Sequence, residues 1–311
     1  WAAAIGAEYE FIDDSLFDSV PRWYFETAKK NLTVVTDFAR LVVARKYLAA
    51  GYQRAIWVDA DMVVFAPEHL QLPDDWPFVF CHEVWVHLDG GKALVFTQKT
   101  NNALCAFSAA DTRFLNHYID ACEIVIRNHE QPLQGAEVGT AWLTAMQRIM
   151  KFPVLRNIAA LSPLLMQEIA QGGDRLTAHF VTRAGGAMGA ANLCASFNGR
   201  TTDGVILSDA VFDRVIDRLL ATRGDVLNRW ADFDIQIALA RGHLAMGERK
   251  NAENLLRAIA SNAPDRSEPL TMLAGLAVSA MESSIAAAPS QASLKSRSAI
   301  TTKTPSRSVK R

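Results

Sequence analysis

The amino-acid sequence predicts an α/β fold: a mixed, mostly parallel sheet flanked by helices over residues 1–230, followed by a small all-α hairpin over 231–283. Three observations carry this. Apolar runs of strand length alternate with segments whose apolar residues recur at helical spacing, the pattern of layered α/β proteins. After Trp230 the strand-like runs stop and only helical periodicity remains. Half of the 311 residues are hydrophobic and 21% are charged, which is ample for a large core plus an appendage.

The elements follow in order. Trp1 to Gly6 reads as the end of a helix, and Glu8 to Ile12 alternates as a strand should. From Phe38 to Ala50 the apolar residues Phe38, Leu41, Val42, Leu48 and Ala49 fall at helical spacing, with Gly51 placed to end the helix. Ala55 to Val58 is a short apolar run, and Met62 to Phe65 is a second one before Pro67. Lys92 to Thr97 and Ala103 to Phe107 are further strands, split by Lys99-Thr-Asn-Asn102. That split is a turn by residue type, or its amides bind sugar hydroxyls. Phe114 to Arg127 and Gly139 to Met150 read as helices. Ala231 to Met246 and Lys250 to Ser261 form the final pair, joined at Gly247 with Pro264 beyond. Residues 284–311 are rich in Ser, Thr, Ala, Lys and Pro and are expected to be a disordered basic tail.

Charge and cysteine usage narrow the function. The net charge is −1, and the tail holds six basic and no acidic residues, leaving 26 basic against 33 acidic residues elsewhere. An acidic body with a short basic tail argues against a nucleic-acid partner. Cys81, Cys105, Cys122 and Cys194 form no C-x-x-C pair and lie in apolar surroundings, which fits a reducing cytoplasm. No apolar stretch approaches the roughly 20 residues that cross a bilayer. The chain begins at Trp1, so the true start is expected to be missing.

Asp59-Ala-Asp61 is the feature that carries chemistry. It sits where an apolar run ends, and the carboxyl ends of buried parallel strands open into the crevice where such sheets bind ligands. Two residues apart on extended backbone, the side chains point the same way at about 7 Å. Carboxylates so placed among Ile56, Trp57, Val58, Met62 and Val63 are costly to bury alone. A hydrated Mn²⁺ or Mg²⁺ with a diphosphate compensates them, since these ions take oxygen ligands from one or two carboxylates plus phosphates. The competing structural reading has the pair capping a turn or bound to Arg40, Arg45 or Arg54.

The wider context decides between the two. Ala39-Arg-Leu-Val-Val-Ala-Arg-Lys-Tyr-Leu48, then Gly51-Tyr-Gln-Arg-Ala-Ile-Trp-Val-Asp-Ala-Asp-Met-Val-Val-Phe65, resembles the central segment of GT-A-type glycosyltransferases (a Rossmann-like fold), those related to the glycogenin and lipopolysaccharide galactosyltransferase group. The resemblance spans residues 1–230 and is concentrated at the acidic pair. It implies that Asp61 binds the metal and that Asp59 binds the metal or the donor ribose, with Arg40 on the preceding helix facing the donor. Asn101 and Asn102 resemble the segment that lines the donor sugar pocket. Glu137, in Gly135-Ala-Glu137, stands where the family has an acidic residue facing the reacting sugar, so it is the catalytic candidate. His179 stands where a late histidine completes the metal shell. Two departures stand out: the family's first strand would precede Trp1, and its late histidine-glycine-lysine pattern is replaced by His179-Phe-Val-Thr-Arg-Ala-Gly-Gly-Ala-Met-Gly189.

The resemblance thus implies a metal-dependent glycosyltransferase taking its sugar from a nucleotide-diphosphate donor, a UDP-sugar in the first place. The acceptor is a carbohydrate, lipid or protein. The alternatives are a sugar nucleotidyltransferase, or a non-catalytic transferase-like domain used as a protein-binding module. Leu239, Gly247, Ala252, Leu256 and Pro264 fall at the spacing of a tetratricopeptide repeat, so 231–283 is expected to pack on the main domain, on another subunit or on a protein partner. His82, Glu83 and His87 do not make a zinc-protease motif, because the histidines are five apart rather than four. Gly185-Gly-x-x-Gly189 lacks the strand-loop-helix frame and the lysine of a phosphate loop.

Overall fold

The computed structural model describes residues 1–130, 133 and 136–287, without the side chains of 282–287. The predicted tail over 284–311 therefore falls almost wholly outside the described residues, as does Gly135. The chain opens with a 3₁₀ turn at Ala3–Ile5 closed by Gly6 at φ 70°, so the expected helix end is a single turn. Glu8 to Ile12 is not a strand. It runs along the surface, where the Glu8 and Glu10 carboxylates accept the Tyr52 and Tyr47 hydroxyls.

Helices α1 (Arg22–Ala28) and α2 (Leu32–Ala49) lead into strand β1 (Arg54–Val58). Helix α2 buries Val34, Val35, Phe38, Leu41 and Leu48, and Gly51 at φ 104° follows its end, as the sequence predicts. Strand β2 (Met62–Val64) comes next, then the long hairpin β3 (Phe78–Asp89) and β4 (Ala93–Ser108). Gly90 and Gly91 both take positive φ, and Lys92 N–H donates to Asp89 O, within the three-residue connection Gly90-Gly91-Lys92 that closes the hairpin between paired Asp89 and Ala93. One continuous strand therefore replaces the two expected ones, and Asn101 and Asn102 lie inside it rather than in a turn.

Beyond the hairpin come α3 (Arg113–Arg127), α4 (Thr140–Met150), β5 (Ile158–Ala160), α5 (Pro163–Gln171), α6 (Arg175–Ala184) and β6 (Ala190–Asn192). A small β7 (Thr201–Thr202) and β8 (Val205–Ile206) hairpin precedes α7 (Asp209–Ala221) and α8 (Asp225–Asn228). The appendage is α9 (Phe233–Ala245), α10 (Arg249–Asn262) and α11 (Glu268–Ala287).

The class is mixed α/β, but the sheets are small and mainly antiparallel. One has the order β1-β4-β3 with both pairings antiparallel; the other is β2-β6-β5, with only β5 and β6 parallel. The expectation of a mostly parallel sheet is corrected here. A three-residue connection forces β3 and β4 antiparallel, and a run of apolar residues carries no information on strand direction.

Helices α1 to α4 share a core with one face of the first sheet, built on Tyr24, Phe38, Phe80, Phe107, Phe114 and Tyr118. A second core joins the outer half of the hairpin, through Val84 and Val86, to α5, α6, α7 and α8. Between the sheets, Val79, Leu104, Leu155 and Ile158 form a third. The appendage has its own small core at Ile237, Ala240, Leu255, Leu256 and Ile259. Fully buried Ala240 and Ala252 let α9 and α10 approach closely, and Gly247 makes their turn at φ 75°. This unit is tied to the main body: Asn262 donates to Thr182 O and accepts from Arg156. No helix among the described residues is long and apolar enough to cross a membrane.

Candidate functional site

Strand β1 carries the chain to the acidic pair. Asp59 N–H still donates to Ala103 O at 2.8 Å, which keeps it in register with β4. At this point the backbone turns, and Met62 N–H donates back to Asp59 O at 3.1 Å. Asp59 and Asp61 therefore flank a tight turn rather than sharing one extended segment. This corrects the expected geometry: the two carboxylates leave the turn toward different partners.

Asp59 faces α2. Its Oδ1 accepts from Trp57 Nε1 at 2.7 Å and lies 3.1 Å from Arg40 Nη1. Burial raises its pKa most, with the Asp61 charge adding a little, against the lowering by Arg40 and Trp57. Asp61 is bound to the segment after β6. Its Oδ1 accepts from Asn192 Nδ2 at 2.9 Å, and its Oδ2 from the Ala195 N–H at 2.7 Å. Asn192 Oδ1 in turn accepts from Cys194 N–H at 2.9 Å, and Cys194 holds φ 52° in the turn that wraps Asp61.

Arg40 is buried and stands between two acids. Nη1 donates to Asn102 O at 2.7 Å, and Nη2 lies 3.3 Å from Asp37 Oδ1. Asn102 Nδ2 donates to the same Asp37 oxygen at 2.9 Å. Burial works to lower the Arg40 pKa, and Asp59 and then Asp37 more than offset it, so the guanidinium stays charged. Asp37 has no comparable protection: burial pushes it up to about 6 despite Arg40 and Asn102.

Because successive residues of a strand face opposite ways, Asn101 turns from this network to another. Its Nδ2 donates to Glu83 Oε2 at 2.7 Å, and Lys99 lies 3.7 Å from the other Glu83 oxygen. The two networks share a neighbourhood. Burial first, then the charges of Glu83, Asp61 and Asp59, push the Cys194 thiol well above its ordinary range.

Glu137 lies in the turn before α4, whose first residue is Thr140. That turn is pressed onto α2: a Cβ on Gly139 would sit 2.2 Å from Asp37 Oδ2. The Glu137 carboxylate itself lies 3.9 Å from His129 Nδ1. His179 is elsewhere. It sits on α6 with its ring 5.0 Å from that of His243 and 6.3 Å from Phe96. The groups acting on it are Arg183, His243, Arg175 and Glu248, none of them from the acidic pair. Among the described residues no three His, Cys, Asp or Glu side chains gather as a cation cage requires, so Asp59, Asp61 and His179 do not form one. The long stretch between β4 and α6 let His179 follow the acidic pair in sequence without approaching it in space.

Sequence reasoning missed Asp37 and Asn192, and weighed Glu83 only within a rejected zinc-protease motif. The i,i+3 spacing of Asp37 and Arg40 on one helix was a usable signal. Glu83 opposite Lys99 became readable only with the hairpin register. Asn192, a lone amide in an apolar run, had no signal beyond its polarity. Gly185 and Gly189 serve packing: Gly185 ends α6 at φ 86°, and a Cβ on Gly189 would meet Leu70 N at 2.4 Å.

Chemically, the region offers an acid-rich turn at the edge of the first sheet. The Asp59 Oδ2 atom accepts no hydrogen bond within the described protein, and each Asp61 oxygen has one donor and a lone pair to spare. No family model, curated protein or solved structure matches the chain.

Proposed function

We propose that the chain is a metal-dependent glycosyltransferase that moves a sugar from a nucleotide-diphosphate donor, a UDP-sugar in the first place, to a carbohydrate, lipid or protein acceptor. The observation that carries this reading is the pair of carboxylates at the exit of β1, each fixed from behind and each with oxygen capacity left. Asp59 and Asp61 are the residues that would hold Mn²⁺ or Mg²⁺. Such an ion supplies charge neutralisation for the leaving diphosphate, worth more in the transition state than in the ground state. Arg40 fixes Asp59, and Asn192 with the Ala195 amide fixes Asp61, so neither carboxylate needs to reorganise on binding. Asn101 and Asn102 keep structural duties in this reading, since both amides are engaged within the protein. Glu137 is kept as the acidic candidate for activating the acceptor on the strength of the resemblance, with its carboxylate beside His129.

Calorimetry with UDP, with and without Mn²⁺, on the parent and on Asp61→Ala tests the proposal. Mn²⁺-dependent binding by the parent and its loss in the variant is expected. Equal binding by both, or none by the parent, overturns it. A second reading, a non-catalytic transferase-like module, draws on the internal engagement of Asp59 and Asp61 and on clefts that open elsewhere, between α10 and the hairpin and around His179. It is favoured if UDP and Mn²⁺ leave the parent unmoved while residues 231–283 retain a stable protein partner.

A further inference from the structure

A cleft of about 500 Å³ opens between the β3–β4 hairpin and the appendage, and its lining shares no residue with the acidic turn. One wall is α10, where Asn254, Arg257 and Ser261 recur at i, i+3 and i+7 and so share a face. The opposite face of that helix is spent on the appendage core through Ala252, Leu255 and Leu256. The other wall is β4, where Leu94, Phe96 and Gln98 alternate onto one side of the strand. Arg183, from α6, joins the two walls. Its guanidinium stacks on Phe96 with 4.0 Å to the ring centroid and donates to His179 O at 2.9 Å.

Neither Arg183 nor Arg257 has a carboxylate partner among the described residues. Acids on the neighbouring elements are already taken: Glu253 of α10 by Arg249, and Glu83 of β3 by Lys99 and Asn101. Arg156 adds a further cation nearby, held by Ala184 O and Asn262. Burial alone holds the Arg183 pKa down to about 10, with no acid to restore it. A largely desolvated guanidinium without a counter-charge is costly, and buried charges in folded proteins are ordinarily paired.

We infer that this cleft binds a small phosphate monoester, its phosphate meeting Arg183 and Arg257 and its organic body lying on Leu94 and Phe96. Two guanidinium forks entering from different walls suit a group with three terminal oxygens, and the Asn254 amide and Ser261 hydroxyl supply further donors. An aromatic or apolar body gains contact area from Leu94, which is 45% exposed, and from the Phe96 ring. The site joins α6 and β4 of the main body to α10, so the ligand fastens the appendage to it. This inference does not rest on the transferase reading, and its test reads binding without turnover.

The test is calorimetry on the full chain at low salt with inorganic phosphate, phenyl phosphate and benzoate, the last as a carboxylate of similar body. Phenyl phosphate is expected to bind best, inorganic phosphate next, and benzoate least. Arg257→Gln, at an exposed position that leaves the fold intact, is expected to lose about tenfold in phenyl phosphate affinity, the scale of one charged hydrogen bond. Arg183→Lys keeps the charge and loses the planar fork, and is expected to weaken binding as well. Arg214→Gln, on α7 and outside the cleft, is expected to change nothing. Absence of phosphate binding at millimolar concentration, equal affinity in Arg257→Gln, or benzoate binding as tightly as phenyl phosphate each overturns the inference.

Discussion

Around Asp59 the buried charges answer one another: Arg40 stands between Asp37 and Asp59, and Asn102 closes the loop with one donor and one acceptor. Around His179 the balance is basic: the partly buried Arg183, the buried His243 and the exposed Arg175 act on the imidazole, and only Glu248 opposes them. Burial has opposite consequences in the two places. It lifts the Asp37 carboxyl to about 6 and presses the His179 imidazole down to about 4. Both groups are driven toward neutrality, which costs the folded state a proton gained in one region and a proton lost in the other. A polar cluster that compensates itself makes a rigid platform. One that does not leaves room for an outside partner.

The comparison breaks most easily at Arg40. Arg40→Met leaves the buried Asp37 and half-buried Asp59 carboxylates without their cation, and a loss of about 3 kcal/mol in urea denaturation at neutral pH is expected. The deficit should shrink in acid, where Asp37 and Asp59 take up protons. A deficit that does not change with pH would mean that Arg40 acts through packing on Trp57, over which it lies at 5.4 Å. Next in size is Gly139→Ala, whose Cβ would fall 2.2 Å from Asp37 Oδ2. Overpacking of this kind costs about 1–3 kcal/mol, read as a lowered urea midpoint with unchanged slope.

The pH response sharpens the contrast, because the two regions have opposite signs. The Asp37 pKa is raised from 3.8 to about 6, so the folded state holds a proton that the unfolded chain has released. Its contribution is full below the unfolded value and is lost as pH rises through about 6. The His179 pKa is lowered from 6.5 to about 4, so the unfolded chain takes the extra proton. Its contribution is present above 6.5 and is lost as pH falls toward 4. Between these limits Asp37→Asn should make stability climb more steeply with pH than in the parent, and His179→Leu should flatten the climb. Urea midpoints across that window decide the matter; the same slope change in both variants would refute the contrast. The smallest effect belongs to an exposed pair that neither region uses. Arg241→Gln breaks the contact with Glu268 at 2.6 Å, and thermal denaturation should register no more than about 0.5 kcal/mol.

Much of the architecture was readable along the chain. Strand β1, helices α3 and α4, and the α9–α10 pair appear within two residues of their predicted spans, and α2 ends where predicted but begins six residues earlier, at Leu32, because apolar periodicity and capping glycines are local signals. The hairpin was harder. His82, Glu83 and His87 interrupt the apolar pattern of β3, and the polar run Lys99 to Asn102 looks like a break in β4. In the structure those residues pair with one another across the strands, Glu83 facing Lys99 and His82 facing Thr100, so polarity marks a partnered interior rather than a turn.

At the candidate site, sequence alone determined the chemistry on offer: two carboxylates at the exit of an apolar strand, with Arg40 one helix upstream and Asn102 downstream. Residue types and local spacing are enough for that. Tertiary structure decided who meets whom. It gave Asp59 to Arg40 and Asp61 to Asn192, set His179 beside His243, and left Arg183 facing a cleft without an acid. Those pairings join residues tens to more than a hundred positions apart, and charge compensation at such range depends on strand register and helix docking, which no local pattern in the chain encodes.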